Sequence, residues 1–225
     1  MVDSTVKRYI IFTWDDNSSR HYNYIGPLFQ KYGIRCTFYV NPGWKSFKKR
    51  YLSGYKFIDQ LGFEVGSHGY THKNMIKLSN EEYRKQIIMS QQLLQEWLSH
   101  PITSFAFPHH KYTEEMLMFA KKYYLETRNT LYNSIRFSIK RSTTITDIVK
   151  VVNDTEASNK NLVFSGHSVA LNSDELNNSS NNIGYEPILI TTLERIIQEI
   201  LYKNDIETIC TLSEAASIIN QLGKI

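Results

Sequence analysis

Short apolar runs, rich in β-branched and aromatic residues, alternate with stretches of helical period along the chain. Residues 9–13 (Tyr-Ile-Ile-Phe-Thr) read as a strand. Residues 20–32 place Tyr24, Leu28, Phe29 and Tyr32 at helical spacing, and Gly33 stops the helix. Further strands are predicted at 37–40, 63–67, 104–107, 124–127, 162–165 and 207–212, with a shorter one somewhere in 133–144. Helices are predicted at 54–61, 79–99, after Thr113, and at 146–157, 191–202 and 213–222. Ser79 with Glu82, and Thr191 with Glu194, have the spacing of a capping box. The segment 172–184 is rich in Asn and Ser, lacks apolar periodicity and reads as a mobile loop.

Strand–helix alternation implies parallel strands joined by helical crossovers. About seven strands in 225 residues predict an α/β protein, a distorted, irregular (β/α) barrel with seven strands, as a single domain over residues 1–225. Loops at the carboxyl ends of such strands carry the chemistry.

Composition removes several classes. At 41% hydrophobic and 21% charged the chain is neither disordered, collagen-like nor a coiled-coil rod. Two cysteines, Cys36 and Cys210, are too few for a disulfide framework and lie in apolar runs, so buried free thiols are expected. The net charge of +4 is mild, and the one dense basic cluster (Lys45, Lys48, Lys49, Arg50) reads as a solvated loop, so no nucleic-acid partner is expected. No apolar run reaches the ~18 residues of a membrane span. The N-terminus has no signal-peptide h-region, so a cytoplasmic location is expected.

The polar residues just past the predicted strand ends are Asp15 and Asp16, His68 and His72, Pro108 with His109 and His110, Arg128, and His167. Singly, each is commonplace: a turn aspartate, a surface histidine pair, a core histidine. Together they fall on one rim. Two imidazoles four residues apart plus one carboxylate make a ligand set with open positions, suited to catalytic zinc or another divalent metal. A second carboxylate beside that set can act as base for a water, and a histidine opposite can protonate a leaving group.

These residues resemble the motifs of the polysaccharide deacetylase family, the NodB-homology domain of metal-dependent carbohydrate esterases. The family's Thr-Phe-Asp-Asp-Gly stands here as Thr13-Trp14-Asp15-Asp16-Asn17, and its His-(Ser/Thr)-x-x-His as His68-Gly69-Tyr70-Thr71-His72. Phe105-Ala106-Phe107-Pro108-His109 is similar to its third motif, and Leu162 to His167 to its last, an apolar strand ending in histidine. The resemblance implies a distorted seven-stranded (β/α) barrel that hydrolyses the N-acetyl group of a sugar in a polysaccharide or glycan precursor. It implies a divalent metal on Asp16, His68 and His72, zinc first, with cobalt, nickel and iron as alternatives. It makes Asp15 the general base, His167 the general acid and the His109 backbone N–H an oxyanion donor. Trp14, Tyr70 and Pro108 are the candidates for contact with a carbohydrate substrate, although aromatic residues at such positions serve a core equally well.

Three positions depart from the family pattern. Asn17 replaces a glycine, with strain expected in that turn; Gly69 replaces the Ser/Thr that braces the loop; Ala106 replaces the arginine that orients the base. Arg128, one strand beyond Ala106, either reaches Asp15 as a replacement or caps its strand end and faces solvent. Two alternatives to deacetylation stand beside it: a related amide or imide hydrolase on the same barrel, and a non-catalytic carbohydrate-binding module.

Overall fold

Seven strands form one sheet in a computed structural model of the protein, which describes residues 8–179 and 186–222. They are β1 (Ile10–Asp15), β2 (Thr37–Val40), β3 (Glu64–Ser67), β4 (Ser104–Phe105), β5 (Glu126–Thr127), β6 (Ser134–Ser138) and β7 (Asn161–Gly166). Their order is β5-β4-β3-β2-β1-β7-β6 and every pairing is parallel. In a flat sheet β5 would lie about 19 Å from β1, four strand spacings away. Yet Arg128, directly after β5, bonds Asp15 at the end of β1. The sheet therefore curls into a (β/α) barrel. Among the described residues no ladder closes it between β5 and β6.

The helices are α1 (Gly26–Lys31), α2 (Phe47–Arg50), α3 (Leu52–Gln60), α4 (Asn80–Trp97), α5 (Glu114–Ala120), α6 (Ile145–Ala157), α7 (Ser173–Asn178), α8 (Ile190–Lys203) and α9 (Leu212–Leu222). A two-stranded ribbon, β8 (Val169–Ala170) with β9 (Ile188–Leu189), follows the main sheet. No helix of the described residues is long and apolar enough to cross a membrane.

Strand alternation sorts the side chains. Ile10, Phe12 and Trp14 of β1, Phe38 and Val40 of β2, and Leu162 and Phe164 of β7 belong to the large cluster under the helices. Ile11, Tyr39 and Val163 point the other way, into the barrel, with Ala106 and Leu131. Asp15 has the inner parity of Ile11 and Thr13, so β1 delivers it to the mouth of the barrel.

Several expectations are revised. Residues 207–212 form no strand: Ile206–Thr208 is one 3₁₀ turn, and only a single bridge joins Ile209 to Ile10. The seventh strand is β6 instead, in the region expected to hold a short one. The helix expected at 20–32 opens with a π turn, His21–Ile25, before α1. In 172–184, residues 173–178 form α7, capped by Asn172 accepting from the Glu175 N–H, so that part is no loop; 180–184 lie outside the described residues. The Ser79–Glu82 capping box forms on α4, and Thr113 caps α5. Thr191 caps nothing, since α8 starts from Leu189, whereas an unforeseen box, Thr144 with Asp147, opens α6. Cys36 and Cys210 are buried free thiols.

Candidate metal centre and catalytic site

The ends of β1, β2, β3, β4, β5 and β7 supply one site. Ligand atoms of Asp16, His68 and His72 all lie within 4.8 Å of one another, the one such cluster of three among the described residues. His68 follows β3 and is buried; its Nδ1–H donates to the Ala106 carbonyl at 2.7 Å. A carbonyl can only accept, so the proton sits on Nδ1 and the Nε2 lone pair faces the cluster. His68 Nε2 is 3.9 Å from Asp16 Oδ1 and 3.9 Å from Asp15 Oδ2, and His72 Nε2 is 3.2 Å from Asp16 Oδ1. Asp16 Oδ1 is buried and receives no hydrogen bond among the described residues. The His68 lone pair and the buried Asp16 oxygen thus face the same space as His72 Nε2, a ligand set that suits a divalent cation.

The two carboxylates live in opposite fields. Burial alone would raise Asp15, but the charge of Arg128 and its paired hydrogen bonds outweigh it and hold its pKa far below the usual carboxylate range. Arg128 Nη2 donates to Asp15 Oδ2 at 2.8 Å and Nη1 donates to Asp15 Oδ1, a bidentate pair with both groups buried. Nη1 also donates to Thr13 Oγ1 at 3.0 Å, and the guanidinium lies 5.2 Å from the Tyr39 ring centre. Asp16 has no such partner: burial, then the charge of Asp15, push it up to about 6. Burial pushes His68 down to about 3, and His72 is lowered for the same reason, so both imidazoles are neutral and able to ligate near neutral pH.

Backbone strain concentrates here. Six described non-glycine residues have positive φ, and four of them are Asp16 (69°), His72 (58°), His109 (58°) and His110 (56°). Such conformations cost of order 1–3 kcal/mol each and persist only where surroundings enforce them. The expected strain at Asn17 falls one residue earlier, on Asp16 itself. Asn17 is buried and pairs with Asn41, its Nδ2 donating to the Asn41 carbonyl at 2.9 Å and its Oδ1 accepting the Asn41 N–H at 3.0 Å.

Asn41, which sequence reasoning passed over, does much of the bracing. It follows β2, and its Nδ2 donates to the carbonyls of His68 and, at 3.0 Å, Gly69. Gln86 of α4 accepts from the Thr71 N–H at 2.8 Å and hydroxyl at 3.1 Å. These bonds hold the His68–His72 loop where the family uses a Ser/Thr. Gly69 itself has φ +77°, and a Cβ there would come within 3.0 Å of Met75, so the position suits glycine.

The remaining candidates are placed as follows. His167 follows β7 and is half-buried. His109 is exposed, its ring 4.6 Å from that of His72. Burial of its ring and then the charge of Arg128 push His110 down to about 4, against the opposing effect of Asp15. Tyr70 is half-buried against Gly43 at the rim. Two substrate-facing expectations fail. Trp14 is 1% exposed and sits in the helix-side core, 6.5 Å from Phe29, because alternation along β1 turns it away from Asp15. Pro108 is buried beside Gly69 and offers no face to a sugar.

Comparison with known proteins follows the same lines. The polysaccharide deacetylase family profile matches residues 3–127. A bifunctional xylanase/deacetylase of Pseudobutyrivibrio xylanivorans is 25% identical over 134 residues, 57% of this chain and 19% of that protein. The Bacillus subtilis protein YxkH, named after the polysaccharide deacetylases, is 25% identical over 115 residues, 50% of this chain and 41% of its own. The match thus spans about a fifth of one curated relative and two fifths of the other. In fold it is similar to the peptidoglycan deacetylase PdaC of Bacillus subtilis (TM-score 0.63, 18% identity, 97% of this chain and 94% of that one). It is equally similar to a CE4 family pseudoenzyme of Bacillus anthracis (TM-score 0.64, 18% identity, 94% of this chain and 66% of that one). With the profile covering more than half of its 225 residues, the chain belongs to the polysaccharide deacetylase family.

Proposed function

We propose that this protein is a metal-dependent N-deacetylase acting on an N-acetylated glycan or glycan precursor. The observation that carries the reading is the division of labour between neighbouring aspartates: Asp15 clamped by Arg128, and Asp16 left with an unbonded, buried oxygen facing His68 and His72. Asp16, His68 and His72 hold a divalent ion, zinc by preference for two imidazoles and one carboxylate. That ion supplies a Lewis acid for the amide carbonyl and a water acidified toward pKa ~7.

The chain's own residues do the rest. Asp15, ionised throughout the working range, takes the proton of the attacking water; its Oδ2 faces the metal ligands 3.9 Å from His68 Nε2. Arg128 fixes the rotamer of Asp15 and lowers its basicity, trading proton affinity for orientation. The His109 backbone N–H meets the oxyanion of the tetrahedral adduct. His167 protonates the departing amine, so an amino sugar and acetate leave. Tyr70 at the rim offers an aromatic face to the sugar. The curated relatives named as deacetylases support the reaction class, and the solved deacetylase and pseudoenzyme share the fold without deciding the activity.

The test is a substrate panel on the metal-loaded protein: N-acetyl sugars and their oligomers, N-formyl amides and cyclic imides. Acetate release from N-acetyl glycans with little turnover of the others is the expected result. Preferential opening of an imide would replace this reading with the related hydrolase, and silence on every compound would leave a binding protein.

A further inference from the structure

A buried histidine outside the motifs joins the two sides of this site. His21 begins the π turn after β1 and is 0% exposed, its ring 5.1 Å from that of Phe38. Its Nε2 lies 2.8 Å from the backbone carbonyl of His167, and its Nδ1 lies 2.8 Å from the Tyr55 hydroxyl. The carbonyl can only accept, so Nε2 carries the proton and Nδ1 is an acceptor. Tyr55 must then donate to Nδ1, with the Asp16 carbonyl a longer second contact of that hydroxyl at 3.3 Å, and its oxygen accepts the Ser18 N–H at 3.1 Å. The chain of bonds runs Ser18 N–H to Tyr55 O–H to His21 Nδ1, then His21 Nε2–H to the His167 carbonyl. One end grips the segment just after Asp16. The other grips the residue read as the general acid.

The location argues for precision and not merely for fold. β1 and β7 are already paired along their length, the last rung joining Trp14 to Gly166. The His21 link lies beyond that rung, where the ladder no longer fixes the chain. Neutral buried polar groups of this kind bring little net stability over an apolar replacement, yet they set the direction of a peptide plane. π turns inside helices recur at functional sites.

We propose that His21 and Tyr55 are positioning residues that hold His167 at a fixed place relative to Asp15 and Asp16. The proposal rests on the deacetylase reading, in which His167 is the acid. Three variants test it with metal occupancy checked by elemental analysis and matched to wild type. Tyr55→Phe removes one oxygen and keeps the ring stacked on Phe47, 5.9 Å between centres at 2°. His21→Leu removes both bonds. His21→Gln restores an N–H for the His167 carbonyl and an acceptor for Tyr55. Each is assayed on an N-acetyl oligosaccharide, whose amine must be protonated, and on an aryl acetate, whose leaving group needs no proton.

Tyr55→Phe and His21→Leu should lower kcat on the amide by about tenfold or more, a part of the range for general acid catalysis, with KM near wild type. Aryl acetate hydrolysis should stay within about twofold, and His21→Gln should recover most of the amide rate, since only the proton-transfer share of the rate is at stake. Equal losses on both substrates, or no loss in either variant, would overturn the proposal. His167→Ala is measured alongside. If it too fails to distinguish the substrates, the acid assignment itself falls and takes this inference with it. If it distinguishes them while Tyr55→Phe and His21→Leu do not, the positioning role alone falls.

Discussion

Arg128 grips both oxygens of Asp15 from the inside of the barrel, across 113 residues of sequence. The family's usual arginine position is occupied by Ala106, whose carbonyl instead orients His68 at 2.7 Å. The cation is thus supplied from the neighbouring strand end, and its surroundings (Thr13, Tyr39) are buried and built around it. Arg128→Met should raise the pKa of Asp15 and move the acidic limb of the pH–rate profile upward, by about 1–3 units for loss of a close opposite charge. The metal content should not change. Arg128→Lys should recover part of the shift, since it restores charge without the bidentate fork. An unaltered pH profile in Arg128→Met would remove Arg128 from the chemistry.

The two aspartates should separate under substitution. Asp16→Asn should lower metal occupancy at neutral pH, because a ligand oxygen becomes a neutral amide. Asp15→Asn should keep the metal and lose at least about 10²-fold in rate, the scale of a missing general base. Elemental analysis and acetate release on the same preparations check both. Equal metal loss in the two variants would contradict the division.

Asn41 should matter for both stability and metal affinity. Its side chain is the donor for the carbonyls of His68 and Gly69. Asn41→Ala leaves those buried groups unserved, at a cost of about 1–3 kcal/mol, and loosens the loop between the two candidate metal-binding histidines, His68 and His72. Urea unfolding and a competition titration against a chelator should both register the change. A variant that unfolds earlier but binds metal with wild-type affinity would confine Asn41 to a structural part.

Acid should destabilise the metal-free protein through its buried imidazoles. Burial holds His21 down to about 4 and His68 down to about 3. An unfolded histidine titrates near 6.5. As pH falls from 6.5 toward 4 the unfolded chain takes up protons that the folded one refuses, so stability falls with pH. His21→Leu should flatten that slope by about 1.4 kcal/mol per pH unit, one proton's worth. Denaturant midpoints at several pH values between 4.5 and 7 measure it; an unchanged slope would mean that His21 takes up its proton in the folded state as readily as in the unfolded one.

Much of the site could be read from the chain because the barrel does the assembling: parallel strands put every carboxyl end on one rim, so Asp16, His68 and His72 meet within 4.8 Å. Arg128 was legible as the cation nearest a gap. Trp14 was misread although period-2 alternation from Asp15 already turns it outward. The strand expected at 207–212 was misread because an apolar run cannot say whether a ladder has room for it; β6 holds the place beside β7. Asn41, His21 and Tyr55 carried no signal, since their bonds join loops 27, 146 and 34 residues apart and ordinary polar residues become significant only when those loops meet.

The most direct test of the proposed metal-dependent deacetylation is reconstitution. Protein stripped by a chelator is titrated with zinc, and acetate release from an N-acetylglucosamine oligomer is followed against bound metal. The stripped protein should be silent, activity should rise in proportion to occupancy and saturate at one ion per chain, and Asp15→Asn at full occupancy should stay silent. Acetate release that survives complete removal of metal, or no release from any N-acetylated glycan at full occupancy, would contradict the account.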